Sequence, residues 1–150
     1  MESGQLQLDI KEFNIGELID ECIRDAQNTS RHTIIREGKP TNQLIFADRD
    51  RLEQVIINLI SNDIKYSSEE KSIIVQTKST GSELIVSIRD FGIGIPESEH
   101  KKIFERFYRT KGNNTVLSGF GLGLYICSQI IKGIMESMGG KSGRWLYFLF

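Results

Sequence analysis

Glycine is distributed very unevenly along this chain, and this distribution constrains the fold more than any other feature of the sequence. Ten of the 14 glycines lie beyond residue 90. The densest group is Gly119-Phe120-Gly121-Leu122-Gly123-Leu124, directly before a long apolar segment. Three glycines at every second position weaken a helix, so stability alone explains them poorly. A helix that begins on bare backbone amides forms an anion site, because its unpaired N–H groups and positive dipole end coincide.

A second glycine pair follows a predicted strand. Asp90 comes at the end of this strand, and Gly92 and Gly94 come after it. Glycine at these positions lets the backbone turn and approach a ligand closely. A carboxylate at such a point can accept a hydrogen bond from an exocyclic amine, which would select adenine over guanine. A lone Asp-x-Gly is more often a turn cap, so this pattern depends on its neighbours for its meaning.

The second predicted helix carries a polar stripe beside its apolar arc. Asn58, Asn62 and Lys65 fall within about 60° of one another at 100° per residue. An amide oxygen is a hard ligand suited to Mg²⁺, and a lysine ammonium suits phosphate. Taken alone, such a stripe is the ordinary solvated face of an amphipathic helix.

Periodicity and capping residues predict an α+β domain. The expected elements are a strand over 6–10, a helix capped by Asn14, strands over 33–36 and 44–47, a helix capped by Asp48, a hairpin of strands over 72–77 and 84–88, a short helix from Pro96, a loop over 110–118, a helix over about 122–132 and a buried strand over 145–150. This order predicts a two-layer α/β sandwich, with a mixed, mostly antiparallel sheet and helices on one face.

Composition excludes several classes of protein. With 26% charged and 39% hydrophobic residues, the 150-residue chain is expected to be one soluble globular domain. Lys and Arg number 19 against 20 Asp and Glu, without a basic tract, so we expect no nucleic-acid partner. No apolar run approaches the roughly 20 residues of a membrane span, so we expect a cytoplasmic segment without direct membrane contact. Cys22 and Cys127 are expected to be buried, reduced thiols.

In order and spacing, these segments resemble the ATP-binding catalytic domain of bacterial sensor histidine kinases. That domain belongs to the GHKL superfamily, shared with gyrase, heat-shock chaperone and mismatch-repair ATPases. The matching motifs are an N box over 51–67, a first glycine box over 90–94, an F box over 103–109 and a second glycine box over 119–124. The F box favours histidine kinases over the other branches. The resemblance implies a Bergerat-type ATP-binding fold over 13–150, and residues 1–12 are expected to be the junction after a missing dimerisation and phosphoacceptor hairpin.

The resemblance also implies roles for individual residues. Asn62 would hold the Mg²⁺ that bridges the ATP phosphates, with Asn58 beside it. The other implied contacts are Lys65 and Arg109 at the phosphates as catalytic cations, Tyr66 near the nucleoside, Asp90 with Gly92 and Gly94 at the adenine, and Gly119, Phe120, Gly121, Leu122, Gly123 and Leu124 around the phosphates. Residues 110–118 would form a mobile ATP lid.

The chain departs from the family pattern in three places. Position 63, usually a small residue such as alanine, is Asp63, which either faces solvent or places a buried charge beside the metal ligand. After residue 132 the usual closing hairpin is expected to be shortened by about four residues. No phosphoacceptor is expected either, because His32 and His100 both lack the sequence context of one.

The resemblance therefore implies a domain that binds Mg-ATP and donates the γ-phosphoryl group to a histidine on a separate dimerisation domain, with a response regulator downstream. Two alternatives remain. One is a nucleotide-binding regulatory module without kinase activity, which Asp63 and the shortened hairpin would suit. The other is a conformational-clamp ATPase of the gyrase type, which the F box disfavours.

Overall fold

The computed structural model describes residues 7–39, 41–67, 72–80, 83–91, 98, 102, 105, 123–138 and 145–149. Within these ranges the elements are β1 (Lys11–Asn14), α1 (Ile15–Thr29), β2 (Ile34–Glu37), β3 (Leu44–Ala47), α2 (Arg49–Tyr66), β4 (Ile73–Thr80), β5 (Glu83–Arg89), α3 (Gly123–Met138) and β6 (Trp145–Leu149). Among the helices described here, none is both long and apolar enough to cross a membrane.

The described strands form two sheets. Four strands lie in the order β2-β4-β5-β6, and β1 and β3 form a separate antiparallel pair. In the larger sheet the longest pairing is the antiparallel β4–β5 hairpin, whereas β2 and β6 run parallel to their neighbours. The predicted α+β sandwich with a mixed sheet is therefore confirmed.

One face of the larger sheet supplies part of the core. Alternate residues of β4 and β5 are buried, and the register places Val75 opposite Ile88 on the same face. Helix α2 packs against both strands with its apolar arc, which consists of Leu52, Val55, Ile56, Leu59 and Ile60. Helices α1 and α3 pack on α2, so α2 lies at the centre of the helical layer.

Both predicted helix caps are present. The Asn14 side chain accepts hydrogen bonds from the backbone N–H groups of Gly16 and Glu17, at 2.9 and 3.2 Å. The Asp48 carboxylate accepts from the N–H of Arg51 at 3.1 Å and from the N–H of Asp9 at 2.9 Å. Each cap satisfies helical donors that have no intrahelical partner, so α1 and α2 begin where the sequence predicts.

The first predicted strand is wrong in position. Residues 7–10 have no regular structure, and β1 follows directly at Lys11–Asn14. The alternation has another cause, because Leu8 packs against the core although residues 7–10 pair with none of the described strands. The strand forms only where its partner β3 is available, and that partner is four residues long.

The predicted end of the last helix is also wrong. Helix α3 continues through Gly133 to Met138, although the sequence suggested a stop after residue 132 and a shortened hairpin beyond it. The apolar face explains the difference, since Ile130 and Ile134 are both fully buried one turn apart. Strand β6 is present and pairs in parallel with β5, while residues 139–144, the short helix expected from Pro96 and the loop over 110–118 lie outside the described residues, apart from the isolated residues 98 and 102.

Candidate functional site

Helix α2 holds the polar stripe that the sequence predicts. The helix is continuous from Arg49 to Tyr66, so Asn58, Asn62 and Lys65 keep their helical spacing. Both asparagine side chains are half-buried and the lysine is exposed. The stripe therefore runs along the boundary between the core and the surface, where an amide oxygen is both fixed by its surroundings and accessible to a ligand.

Asn58 is tied to α3 through a thiol. Its Nδ2 donates to Sγ of Cys127 at 3.8 Å, and the same thiol donates to the backbone oxygen of Val55 at 3.9 Å. Because the thiol proton is directed to Val55, the amide can face the sulfur only with its NH₂ group. The amide oxygen of Asn58 is therefore directed away from the sulfur. Burial raises the pKa of Cys127 to about 11, although its hydrogen bond with Asn58 acts in the opposite direction, so the thiol stays protonated at neutral pH.

Asp63 is buried, with 8% of its surface exposed. Its carboxyl group lies beside the carboxyl group of Asp90, close enough to interact with it. Its Oδ2 atom is buried without a hydrogen-bond partner among the described residues. Burial first, and then the charge and hydrogen bond of Asp90, raise the pKa of Asp63 to about 8. The sequence leaves Asp63 either facing solvent or buried, and in the structure it is buried.

The sequence contains a signal for this burial. Asp63 follows Ile60 by three residues, Leu59 by four and Ile56 by seven, which continues the apolar arc of α2. Helical spacing alone therefore places a carboxyl group on the core face. What the spacing does not show is the partner, because Asp90 belongs to a different element.

Asp90 is the first residue after β5, which ends at Arg89, and its side chain is half-buried. The contact with Asp63 places the end of this strand against the last turns of α2. The next residue, Phe91, is exposed and its ring lies under the Arg89 guanidinium, 5.1 Å from the ring centroid. The carboxylate predicted to read a base thus lies beside the helix predicted to hold the metal.

No described atom crowds the N-terminus of α3. Gly123 is the first residue of the helix, and a Cβ atom added there would meet none of the described atoms within 4 Å. The first N–H groups of a helix have no intrahelical acceptor. This end therefore offers backbone donors to an anion, whereas Leu124 packs partly against the core.

Outside the described residues lie Gly92, Gly94, Arg109, Gly119, Phe120, Gly121, Leu122 and the predicted lid over 110–118. Tyr66 is the last residue of α2, and its side chain also lies outside the described part of the structure. Across the described part of the chain, no cluster of three or more His, Cys, Asp or Glu side chains is arranged to hold a metal ion.

His32 has a structural role. It is 4% exposed, and its Nε2 donates to the backbone oxygen of Ser67 at 3.0 Å, just after α2. Its Nδ1 atom lies 3.3 Å from the Ser30 hydroxyl, which donates to it. Both ring nitrogens are thus engaged, so His32 links the end of α1 to the end of α2. This agrees with its lack of a phosphoacceptor context, while His100 lies outside the described residues.

Comparison with known proteins identifies relatives across most of the chain. The family described as histidine kinase-, DNA gyrase B-, and HSP90-like ATPase matches residues 47–144. The sensor protein RprX of Bacteroides fragilis is 38% identical over 83% of this chain, and the sensor histidine kinase YkoH of Bacillus subtilis is 34% identical over 93%. The chain spans 25% of the first relative and 31% of the second. A nucleotide-free catalytic domain of histidine kinase ThkA superposes with a TM-score of 0.71 at 32% identity, covering 85% of this chain and 82% of that domain.

Proposed function

The chain belongs to the family of histidine kinase-, DNA gyrase B-, and HSP90-like ATPases, and on this premise we propose that it binds Mg-ATP and donates the γ-phosphoryl group to a histidine on a separate dimerisation domain. The relatives named as sensor histidine kinases support this branch of the family. One observation carries the proposal. Helix α2 contacts Asp90 of the first glycine box through Asp63, and through Asn58 it contacts α3, the helix that begins within the second glycine box.

The base is recognised by Asp90 in this proposal. Its carboxylate accepts a hydrogen bond from the exocyclic amine of adenine, and Gly92 and Gly94 let the backbone approach the ring. Guanine has a carbonyl oxygen at the corresponding position, so it would face the carboxylate with a second acceptor. Tyr66, at the end of α2, is proposed to pack near the nucleoside.

The phosphates lie between α2 and the N-terminus of α3 in this proposal. Asn62 fits a magnesium ion, because it offers a half-buried amide oxygen and Mg²⁺ is bound in proteins by few side chains together with substrate phosphates. The bound ion would neutralise charge on the phosphates. Lys65 supplies a mobile positive charge from the exposed side of the same helix, and the amides from Gly119 to Gly123 supply donors.

Phosphoryl transfer depends mainly on positioning and on charge stabilisation. This chain would supply those two functions through Lys65, Arg109 and the amides of the second glycine box. The acceptor is proposed to lie on a dimerisation and phosphoacceptor domain, with a response regulator downstream, because His32 is buried and both its ring nitrogens are engaged.

Calorimetry with Mg-ATP tests the binding step. Asp90→Asn removes the acceptor for the amine, so we expect roughly a ten- to hundredfold loss of ATP affinity while GTP stays weak. Asp25→Asn, at an exposed position of α1, is the control and should bind as the unmodified chain does. An unchanged ATP affinity in Asp90→Asn would refute the assignment of the base contact.

Labelled ATP tests the transfer step. The chain is mixed with a dimerisation and phosphoacceptor domain supplied in trans, and labelled phosphohistidine is the expected product. Tight ATP binding without transfer would favour the regulatory module, for which the buried Asp63 is the supporting observation. Rapid ATP hydrolysis by the chain alone would favour the clamp ATPase.

A further inference from the structure

A buried thiol of α3 contacts the polar stripe of α2. Cys127 lies in α3 and is 4% exposed. Its Sγ atom is 3.8 Å from Nδ2 of Asn58 and 3.9 Å from the backbone oxygen of Val55. Both partners belong to α2 and are three residues apart, so the thiol contacts one face of that helix at two points.

The two contacts together determine the orientation of the Asn58 amide. A backbone oxygen can only accept, so the thiol proton is directed to Val55. The sulfur then has only its lone pairs to offer Asn58, and only the NH₂ group of the amide can donate to them. Because the sulfur is buried and Asn58 is half-buried, the amide directs its oxygen towards the accessible side.

The position of this amide along α3 is also defined. Cys127 follows Gly123, the first residue of α3, by four residues, so the two lie on one face of the helix. The contact with Asn58 therefore lies about 6 Å along the helix axis from the N–H groups that are proposed to hold the phosphates. An amide oxygen does not bind a phosphate oxygen, because both are acceptors, but it can bind a metal cation or a water on that cation.

We propose that Cys127 is a positioning residue, which holds the Asn58 amide with its oxygen towards the magnesium ion of the bound nucleotide or towards a water on that ion. This inference rests on the proposed function, because it takes Mg-ATP to bind between α2 and the start of α3. The terminal torsion of an asparagine is broad and roughly two-fold, so an amide without this contact can turn over. It would then present its oxygen for only part of the time, and the apparent affinity would fall by that fraction.

Substitutions at residue 127 separate this role from packing. Cys127→Val fills a similar volume but neither donates nor accepts, whereas Cys127→Ser keeps both functions. Cys127→Ala removes the same groups and replaces the valine variant if that variant does not fold. Cys22→Val, the same change at the other buried thiol, in α1, is the matched control. Thermal unfolding establishes which variants are folded, and calorimetry then measures their ATP affinity with Mg²⁺ and with the metal chelated.

We expect Cys127→Val to lose roughly two- to fivefold in affinity for Mg-ATP and to bind metal-free ATP as the unmodified chain does. Cys127→Ser and Cys22→Val should bind ATP as the unmodified chain does in both conditions. No loss in Cys127→Val, an equal loss with and without Mg²⁺, or a serine variant that behaves like the valine variant would each overturn the proposal.

A double-mutant cycle shows whether Cys127 acts through Asn58. Asn58→Ala removes the amide, so adding Cys127→Val to it should cause no further loss of Mg-ATP affinity, whereas additive losses would contradict the proposal. If Asn58→Ala weakens Mg-ATP binding but Cys127→Val does not, only the role of Cys127 fails. If Asn58→Ala binds Mg-ATP as the unmodified chain does, the ligand contact of Asn58 fails, and the role of Cys127 fails with it.

Discussion

At the scale of single residues, Asp63 opposes folding. The Asp63 carboxyl group on the core face of α2 is buried at low free-energy cost only while it is protonated. Most aspartates release that proton near pH 4. Between 3.8 and about 8, the ordinary and raised pKa values, the unfolded chain is ionised at this residue and the folded chain is not. The folded state then binds more protons than the unfolded state, so stability falls as pH rises through this window.

Asp63→Asn should remove this dependence. The amide is neutral at every pH, so the variant should gain stability over the unmodified chain as pH rises from about 4 to about 8, reaching a gain on the order of a few kcal/mol and levelling off above that. Urea unfolding in metal-free buffer across this range measures the gain. Asp25→Asn, at an exposed site, should show no comparable trend. A gain that is the same at pH 4 and pH 8 would mean that Asp63 is ionised in the folded protein.

Asn62 gives a second prediction at this scale. If its amide oxygen binds Mg²⁺, Asn62→Ala should abolish the part of the ATP affinity that depends on magnesium and leave metal-free binding nearly unchanged. Calorimetry with and without Mg²⁺ separates the two parts. Gln54→Ala, on the same helix at a half-buried position before the stripe, is the control. Equal losses in both conditions would make Asn62 a structural residue of α2.

At the scale of secondary structure, the elements that were predicted well are those determined by neighbouring residues. Helices α1 and α2 begin directly after Asn14 and Asp48, because each cap bonds to N–H groups two or three residues later. The sequence does not predict the position of β1 or the end of α3, because contacts with distant residues determine both. Pairing with β3 sets the position of β1. In α3, the burial of Ile134 overrides the helix-weakening effect of Gly133.

Two glycines in helices should respond oppositely to the same substitution. At Gly16 in α1, a Cβ atom would lie 2.0 Å from the backbone oxygen of Thr41, so Gly16→Ala should lower the free energy of unfolding by about 1–3 kcal/mol. At Gly133 in α3, the nearest described atom would be the Leu8 Cδ1 at 3.4 Å, an ordinary contact. Gly133→Ala should therefore raise the free energy of unfolding by roughly 0.5–1 kcal/mol through helix propensity. Denaturant unfolding of both variants checks the signs, and a stabilising Gly16→Ala would show that α1 can shift away from residue 41.

At the scale of the whole molecule, α2 joins the parts that the sequence shows separately. Its apolar arc packs on β4 and β5, its polar stripe contacts α3 through Asn58, and its end is linked to α1 through His32 and Ser67. The individual motifs could be read from residue spacing, because each is local. Their convergence could not, since the Asp63–Asp90 and Asn58–Cys127 contacts join residues far apart in sequence and depend on how the layers pack.

This convergence predicts that nucleotide binding stabilises the domain as a unit. A ligand held by α2, by the end of β5 and by the start of α3 binds only when all three are in place, so it has no affinity for the unfolded chain. At a free Mg-ATP concentration of a hundred times its dissociation constant, the gain is about 2.7 kcal/mol, which corresponds to a rise in Tm of roughly 5–10 °C. Thermal unfolding monitored by circular dichroism at increasing Mg-ATP measures it, with Asp90→Asn as the variant that should need a higher concentration for the same rise. A Tm that stays constant at saturating nucleotide would mean that the ligand does not engage the folded core through α2.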